Sequence, residues 1–246
     1  MPPAFLRKLN TFAVLSQDDE QMLDMVTSQR GRIVAAREDV VRIGDRVQAI
    51  NLIASGWACR YRMLPDGRRQ IVSLILPGDI CDLNIFVIQR MDLSIGAISE
   101  VGLREISREG LETLLTAHPR VRQALWWEQL VANSIQREWT VNLGQRTALE
   151  RIAHLFCEIF TRLKLVGLTD GDSCELPLTQ IDLGEITGLS AVHVNRTLQE
   201  LRSTGLVVLR SRMLTIPNFG NLADAGLFDP GYLHLDHVGR HLDATE

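Results

Sequence analysis

Between Leu178 and Arg202 the chain reads LTQIDLGEITGLSAVHVNRTLQELR, the pattern of a helix-turn-helix. Thr179 is placed to cap a first short helix, with Asp182 three residues on as its acidic partner, and Gly188 falls where the chain must turn. Ser190 then caps a second helix. Gly184 and Gly188 let the two helices approach closely, while Ile186, Leu189, Val194, Leu198 and Leu201 recur at helical spacing and face inward. That leaves Ala191, Val192, Asn195, Arg196 and Gln199 on the outer face, with His193 beside them near the helix start. Asn and Arg carry paired hydrogen-bonding atoms that match adenine and guanine edges in the major groove, so contact with double-stranded DNA is the expectation. A hairpin with two glycines also serves as plain packing in helical proteins, and the residues after Arg202 decide between the two. Gly205 ends the second helix, and Leu206–Leu209 and Met213–Ile216 read as two short strands around Arg210, Ser211 and Arg212. A basic hairpin tip beside such a helix is a wing placed to touch phosphate.

A chain of 246 residues, 46% hydrophobic and 23% charged, is long enough for two medium domains, each with its own core. Its net charge of −4 gives no global attraction to nucleic acid, and Glu150, Glu158, Asp182 and Glu185 offset the arginines near the hairpin in number. Any positive surface must be local. The four cysteines, Cys59, Cys81, Cys157 and Cys174, form no CxxC pair, which argues against a zinc ribbon. The opening MPPAFLRKLNTFAVLSQDD lacks the apolar core of a signal peptide, and no later stretch approaches a membrane span, so a reduced, cytoplasmic protein without membrane contact is expected.

Towards the N-terminus, Asp18, Asp19 and Glu20 open a helix, and from Arg32 to about Ser107 short β-rich runs alternate with turn signals. The runs are 32–34, 39–43, 49–54, 58–63, 70–76 and 103–106, and Leu64-Pro65-Asp66-Gly67 and Pro77-Gly78-Asp79 are the clearest turns. Many short strands at this spacing point to a small barrel or roll. Pro119 starts a long helix, in which Val121, Leu125, Glu128, Ala132, Ile135, Trp139 and Asn142 fall at alternating four- and three-residue steps. That is a coiled-coil seam, and it predicts a homodimer. Asn142-Leu143-Gly144 reads as the hinge before a further helix from Gln145 to Leu165, and Thr169 to Glu175 as a polar loop. The domains expected are therefore a sensor roll over 1–118, a dimerisation helix over 119–142 and a winged helix-turn-helix domain over 143–246. The fold class is α+β.

This order resembles the Crp/Fnr superfamily of bacterial transcription regulators over nearly the whole chain, through Leu76-Pro77-Gly78-Asp79, His118-Pro119, Arg151-Ile152-Ala153 and the hairpin itself. The resemblance implies a cyclic-nucleotide-binding-like jelly roll and a homodimer that acts on a palindromic operator and contacts RNA polymerase. It also marks departures. Cyclic-nucleotide-binding members follow the Gly-Asp turn with a Gly-Glu pair that holds the ribose and later carry an Arg that neutralises the cyclic phosphate; the matching residues here are Asp82-Leu83 and Leu93-Ser94. Gln136 and Arg137 replace the paired hydroxyl residues of the long helix. Asp82, Leu83, Leu93, Ser94, Gln136 and Arg137 are thus candidate positions for a small-molecule effector other than cyclic AMP. No cysteine precedes Cys59, which argues against the iron–sulfur sensor of the oxygen-sensing relatives, and oxidation of Cys174 in its polar loop is another input to consider. The haem-binding branch remains an alternative, since Cys81 follows the Gly-Asp turn and Pro2 follows the initiator Met, although Leu83 stands where that branch has a His.

The competing class is a β-barrel metalloenzyme. It needs two or three inward-facing His with a carboxylate, and His118, His154, His193, His234, His237 and His241 all lie outside residues 32–107. His234, Asp236, His237 and His241 have ligand-like spacing but read as a solvated tail. No catalytic or metal-binding set and no bound cofactor is expected.

Overall fold

The computed structural model describes residues 2–83, Val87 and 90–235. Two helices, α1 (Pro3–Phe12) and α2 (Gln17–Ser28), precede seven strands: β1 (Arg30–Val34), β2 (Asp39–Val41), β3 (Ala49–Ser55), β4 (Ala58–Met63), β5 (Arg69–Ile75), β6 (Ser94–Ala97) and β7 (Val101–Ser107). They form two antiparallel sheets, ordered β1-β7-β3 and β2-β6-β4-β5, and an isolated bridge pairs Leu52 of β3 with Ile80 in the segment after β5. Ile50, Leu52, Ile71, Ile75, Ile95 and Leu103 are buried in the interior of a jelly roll, and Ile106 is buried further along β7. Strand β6 has no counterpart in the sequence reading. It is four residues long and contains Gly96, and Ser94 belongs to its buried run, with its hydroxyl accepting from the Ile43 amide at 3.0 Å.

After α3 (Arg108–Ala117), helix α4 runs from Pro119 to Gln145 and α5 from Ala148 to Leu165. The His118-Pro119 step is fixed twice: proline suits the first helical turn, and the buried His118 meets the capping carboxylate of α2 through Nδ1···Asp19 Oδ1 at 2.8 Å. The break after α4 lies later than the expected hinge at Asn142–Gly144, which is helical throughout. Gly144 weakens a helix but is tolerated where tertiary contacts hold its neighbours, and Asn142 is buried with Nδ2 donating to the Arg151 carbonyl. The chain turns instead at Arg146, whose extended backbone leads into a capping box between Thr147 and Glu150.

The remaining elements are β8 (Thr169–Asp170), β9 (Ser173–Glu175), α6 (Gln180–Thr187), α7 (Ala191–Ser203), β10 (Val208–Arg210), β11 (Met213–Thr215), α8 (Phe219–Gly226) and a 3₁₀ turn over Pro230–Leu233. The segment expected as a polar loop is the hairpin β8–β9, which extends the wing into a four-stranded sheet of order β10-β11-β9-β8. Cys174 sits inside it opposite Leu214, 1% exposed, with burial pushing its thiol up to about 12, so it is not the accessible redox site that a polar loop implied.

A buried ionic network joins these parts. Lys8 of α1 donates to Asp79 at 2.7 Å and to Glu128 of α4 at 2.9 Å; Arg162 of α5 donates to Asp79 at 2.6 Å and to Glu158 at 3.1 Å. Glu158 in turn accepts from Trp139 Nε1 and the Tyr232 hydroxyl, each at 3.0 Å. Burial alone pushes the Asp79 carboxyl up, but Lys8, Arg162 and the Leu76 amide outweigh it and hold the group at about 2. Replacement Asp79→Asn leaves Lys8 with Glu128 alone and Arg162 with Glu158 alone in a buried site, and should destabilise the chain by about 3–5 kcal/mol in chemical denaturation. Because the folded pKa lies below the unfolded value near 3.9, the wild-type contribution is complete above about pH 4 and drains away as pH falls towards 2. The Asn variant should lack that part of the acid slope, and an equal slope in both would remove Asp79 from the account.

Candidate nucleic-acid interface

Helix α6 begins at Thr179, whose hydroxyl accepts from the Asp182 amide at 3.2 Å while the Asp182 carboxylate accepts from the Thr179 amide at 2.8 Å. Gly188 ends the helix at φ +68°, and a Cβ on Gly184 would lie 2.7 Å from the Leu189 carbonyl oxygen, so both glycines are required by the tight turn. Ser190 caps α7 by accepting from the His193 amide. Ile186, Val194, Leu198 and Leu201 are buried and Leu189 half-buried, as the helical spacing anticipated. Arg151 fastens this unit to the helices before it, donating through Nε to the Arg146 carbonyl and through NH1 to the Thr187 carbonyl.

The opposite face of α7 points to solvent. Ala191, Val192, His193, Arg196 and Gln199 are exposed, Val192 by 77%, and Asn195 is half-exposed with Nδ2 donating to Gln180 Oε1 at 3.3 Å. Beside it β10 and β11 make a two-residue hairpin, with Arg210 opposite Met213 and both Arg210 and Arg212 exposed. Ser211 (φ +50°) and Arg212 (φ +61°) both adopt the left-handed conformation that matches the twist of a tight hairpin but that glycine or asparagine takes more cheaply.

The acids that seemed to cancel the arginines are occupied elsewhere. Asp182 is buried and gripped by Arg37 at 2.6 and 2.9 Å, Glu185 pairs with Arg69 at 3.1 Å, Glu158 lies in the buried network and Glu150 caps α5. Burial raises the Asp182 carboxyl, but Arg37 and Thr179 overcome it and keep the group ionised below its ordinary range. Arg37 and Arg69 belong to the roll and were not singled out from the sequence, since nothing local to either residue marks a partner more than a hundred positions away.

The seam residues of α4 are placed differently from the expectation. Val121, Leu125, Glu128, Ile135 and Trp139 are buried within the single chain, against α1, α5 and the roll, and Ala132 is half-buried. The 4-3 pattern therefore records packing on the helix's own neighbours. What α4 presents outward is Trp126 (69% exposed), Leu130, Asn133, Arg137 and Val141, a second stripe rotated from the first.

Of the effector positions, Asp82, Leu93 and Gln136 line one cavity of about 270 Å³ between the roll, α4 and the end of α5, whereas Leu83, Ser94 and Arg137 do not. Gln136 Nε2 donates to the Val72 carbonyl, and Arg137 to Ser134 Oγ. Three cations line the cavity: Lys8 and Arg162 of the buried network, and Arg60 of β4, whose guanidinium meets Ser73 Oγ at 2.9 Å and the Ile80 and Cys81 carbonyls. A cyclic nucleotide has no Gly-Glu pair and no matching arginine here. Haem does not fit: Cys81 is 1% exposed, burial pushes its thiol up to about 12, and half-buried Leu83 offers no imidazole. Nor does an iron–sulfur cluster fit four buried cysteines spread over roll and wing domain. Among the described residues no group of three His, Cys, Asp or Glu is placed to hold a metal, and no helix is long and apolar enough to cross a membrane. His234 is half-buried rather than part of a fully solvated tail, since it packs on Trp127 and lies 3.3 Å from Ser134 Oγ; Asp236, His237 and His241 lie outside the described residues.

The chain's likeness to known proteins has the same division. Residues 32–118 match the Cyclic nucleotide-binding domain family and residues 150–225 the Crp-like helix-turn-helix domain family. The Transcriptional activator protein FnrL of Cereibacter sphaeroides is 28% identical over 211 residues, covering 84% of each chain. The Nitrogen fixation regulation protein FixK of Bradyrhizobium diazoefficiens is 29% identical over 150 residues, 61% of this chain and 62% of that one. The solved structure of FixK2 from Bradyrhizobium japonicum superposes with a TM-score of 0.71 at 25% identity, over 80% of this chain and 96% of that one.

The wing tip yields a separable test. Arg212→Gly removes a charge and a left-handed side chain together, so thermal unfolding should show a gain of about 0.5–1 kcal/mol. Affinity for duplex DNA should fall, and the slope of log affinity against log salt should lose about one ion. A variant that binds duplex with an unaltered salt slope would place the wing off the phosphates.

Proposed function

Because this chain is a DNA-binding transcription regulator of the Crp/Fnr superfamily, we propose that it acts in the cytoplasm as a homodimer, setting two copies of α7 into successive major grooves of a palindromic operator about one helical turn apart. The observation that carries this reading is the exposed stripe Val192, Asn195, Arg196 and Gln199 beside the basic wing tip. In it Arg196 reads a guanine through O6 and N7, Asn195 contacts adenine, and Val192, which has no hydrogen-bonding atoms, packs on a thymine methyl. Ser190, Ala191 and His193, at the start of α7, face the backbone, and Arg210 and Arg212 hold phosphate without reading sequence.

The dimer forms through the outer stripe of α4. Trp126 and Leu130 supply apolar surface at 4-3 spacing with Asn133 and Arg137, whereas Ile135 serves its own chain. The DNA-bound dimer meets RNA polymerase through surfaces outside the two α7 faces. Its effector is a small molecule held in the cavity at Arg60, Asp82, Leu93 and Gln136, whose apolar walls from α4 and α5 let an occupant touch both sensor and DNA-binding domain. Cyclic AMP is not that molecule, and the protein works without haem or an iron–sulfur cluster.

Two variants separate these assignments. Arg196→Ala should cost about 1–3 kcal/mol in operator binding and relax one G·C position in each half-site, measured by selection from random duplex DNA; an unchanged base preference would show that another face of the helix reads. Leu130→Glu should turn the dimer into a folded monomer by light scattering, because like charges across a two-fold axis have no partner. Ile135→Glu should instead unfold the chain. The reverse outcome would return the seam to the buried stripe.

A further inference from the structure

The helix that precedes α7 carries two carboxylates, and both are matched by arginines from the roll. Arg37 lies in the turn between β1 and β2 at φ +72°, a conformation that ordinary side chains seldom adopt, with its amide anchored on the Ala97 carbonyl at 2.9 Å. From there it reaches across to Asp182 with two parallel bonds of 2.6 and 2.9 Å. Arg69, at the start of β5, stacks 4.0 Å over the Tyr61 ring, whose hydroxyl donates to Asp39, and directs NH1 to Glu185 at 3.1 Å. Gln70 completes the contact by donating Nε2 to the Glu185 carbonyl at 2.6 Å, satisfying an acceptor in the last turn of α6. Both ends of α6 are thereby fixed to one sheet of the roll. Throughout, the face of α7 that carries Val192, Arg196 and Gln199 stays open.

We propose that Arg37 and Arg69 are positioning residues for DNA binding: they neutralise the two carboxylates of α6 and lock that helix to the roll, so that the affinity of α7 for duplex DNA depends on this contact. The proposal rests on the DNA-binding reading above. In a helix-turn-helix the first helix crosses the phosphate backbone, where unpaired Asp182 and Glu185 would repel phosphate. With the roll docked, α6 approaches the duplex without that negative charge and in one orientation. A chain of net charge −4 thus gathers its positive surface by pairing the wrong-signed residues internally. It also gives the sensor a route to the reading head, because whatever moves β5 or the β1–β2 turn changes the charge and the tilt of α6 together.

The test uses the full chain and a duplex bearing a site selected by the wild type from random DNA, read by fluorescence anisotropy across a salt series. Arg37→Gly is the informative single change, since glycine accepts φ +72° and the side chain that grips Asp182 is lost without backbone strain. Combined with Arg69→Ala it should weaken binding about ten-fold or more, leave the roll's thermal transition in place and speed hydrogen exchange of the Ile186 and Thr187 amides. Arg69→Glu should weaken binding further, and adding Glu185→Arg to it should restore both affinity and slow exchange. Variants that match the wild type, or bind more tightly, overturn the proposal, as does a double reversal that restores affinity while α6 still exchanges fast. A wild type that selects no sequence overturns the DNA-binding reading, and this proposal with it; equal binding by wild type and variants overturns the proposal alone.

Discussion

A single buried carboxylate, Asp79, is the point at which the roll, the N-terminal helix and α5 are tied together. It sits at the Leu76-Pro77-Gly78-Asp79 turn of the roll, receives Lys8 from the N-terminal helix and Arg162 from the helix that leads into the DNA-binding domain, and is tied through Lys8 to Glu128 on the long helix. The turn tolerates this convergence because Gly78, at φ +93°, has no Cβ; one placed there would lie 2.9 Å from the Ala4 backbone. A buried ionic network gains little stability over apolar packing, but it accepts only one arrangement of its members. Here that arrangement sets α1, the roll, α4 and α5 at fixed positions and closes one wall of the cavity they share.

The second constraint is charge. A regulator of net charge −4 must approach a polyanion, and the resolution lies in where the acids are rather than how many there are. Glu158 and Asp182 are buried, Glu185 is paired and Glu150 is spent on a helix cap, while Arg196 on α7 and Arg210 and Arg212 on the wing are exposed, and none of the three pairs with a carboxylate among the described residues. Counting residues along the sequence treats these groups as equal, and the fold does not.

What the sequence made legible was local. The capping box at Thr179 and Asp182, the turn at Gly188, the cap at Ser190, the Pro119 helix start and the 58–63 strand all depend on neighbours within a few residues, and each appears where the pattern placed it. The misreadings concern partners distant in sequence. The 4-3 stripe of α4 is genuine, but periodicity cannot say whether a helix packs on a second copy or on α1 and α5, and within the single chain Lys8 of α1 faces Glu128 on the inner stripe. Thr169 to Glu175 looked like loop because a strand of two or three residues carries no alternation of its own and is made a strand by β11. Asn142 to Gly144 looked like a hinge because glycine is a weak helix former, yet a buried Asn142 and the contacts of Arg151 carry the helix through it. Arg60, Arg37 and Arg69, which shape the cavity and the docking of α6, were invisible for the same reason.

Hydroxyl-radical footprinting of the wild-type chain on a duplex it has itself selected distinguishes paired α7 helices from a single reading head. Two protected segments of equal length are expected, related by a two-fold axis and centred about one helical turn apart, with flanking backbone protected where the wings lie. A single protected segment, or two without symmetry, would contradict a homodimer reading DNA through paired α7 helices.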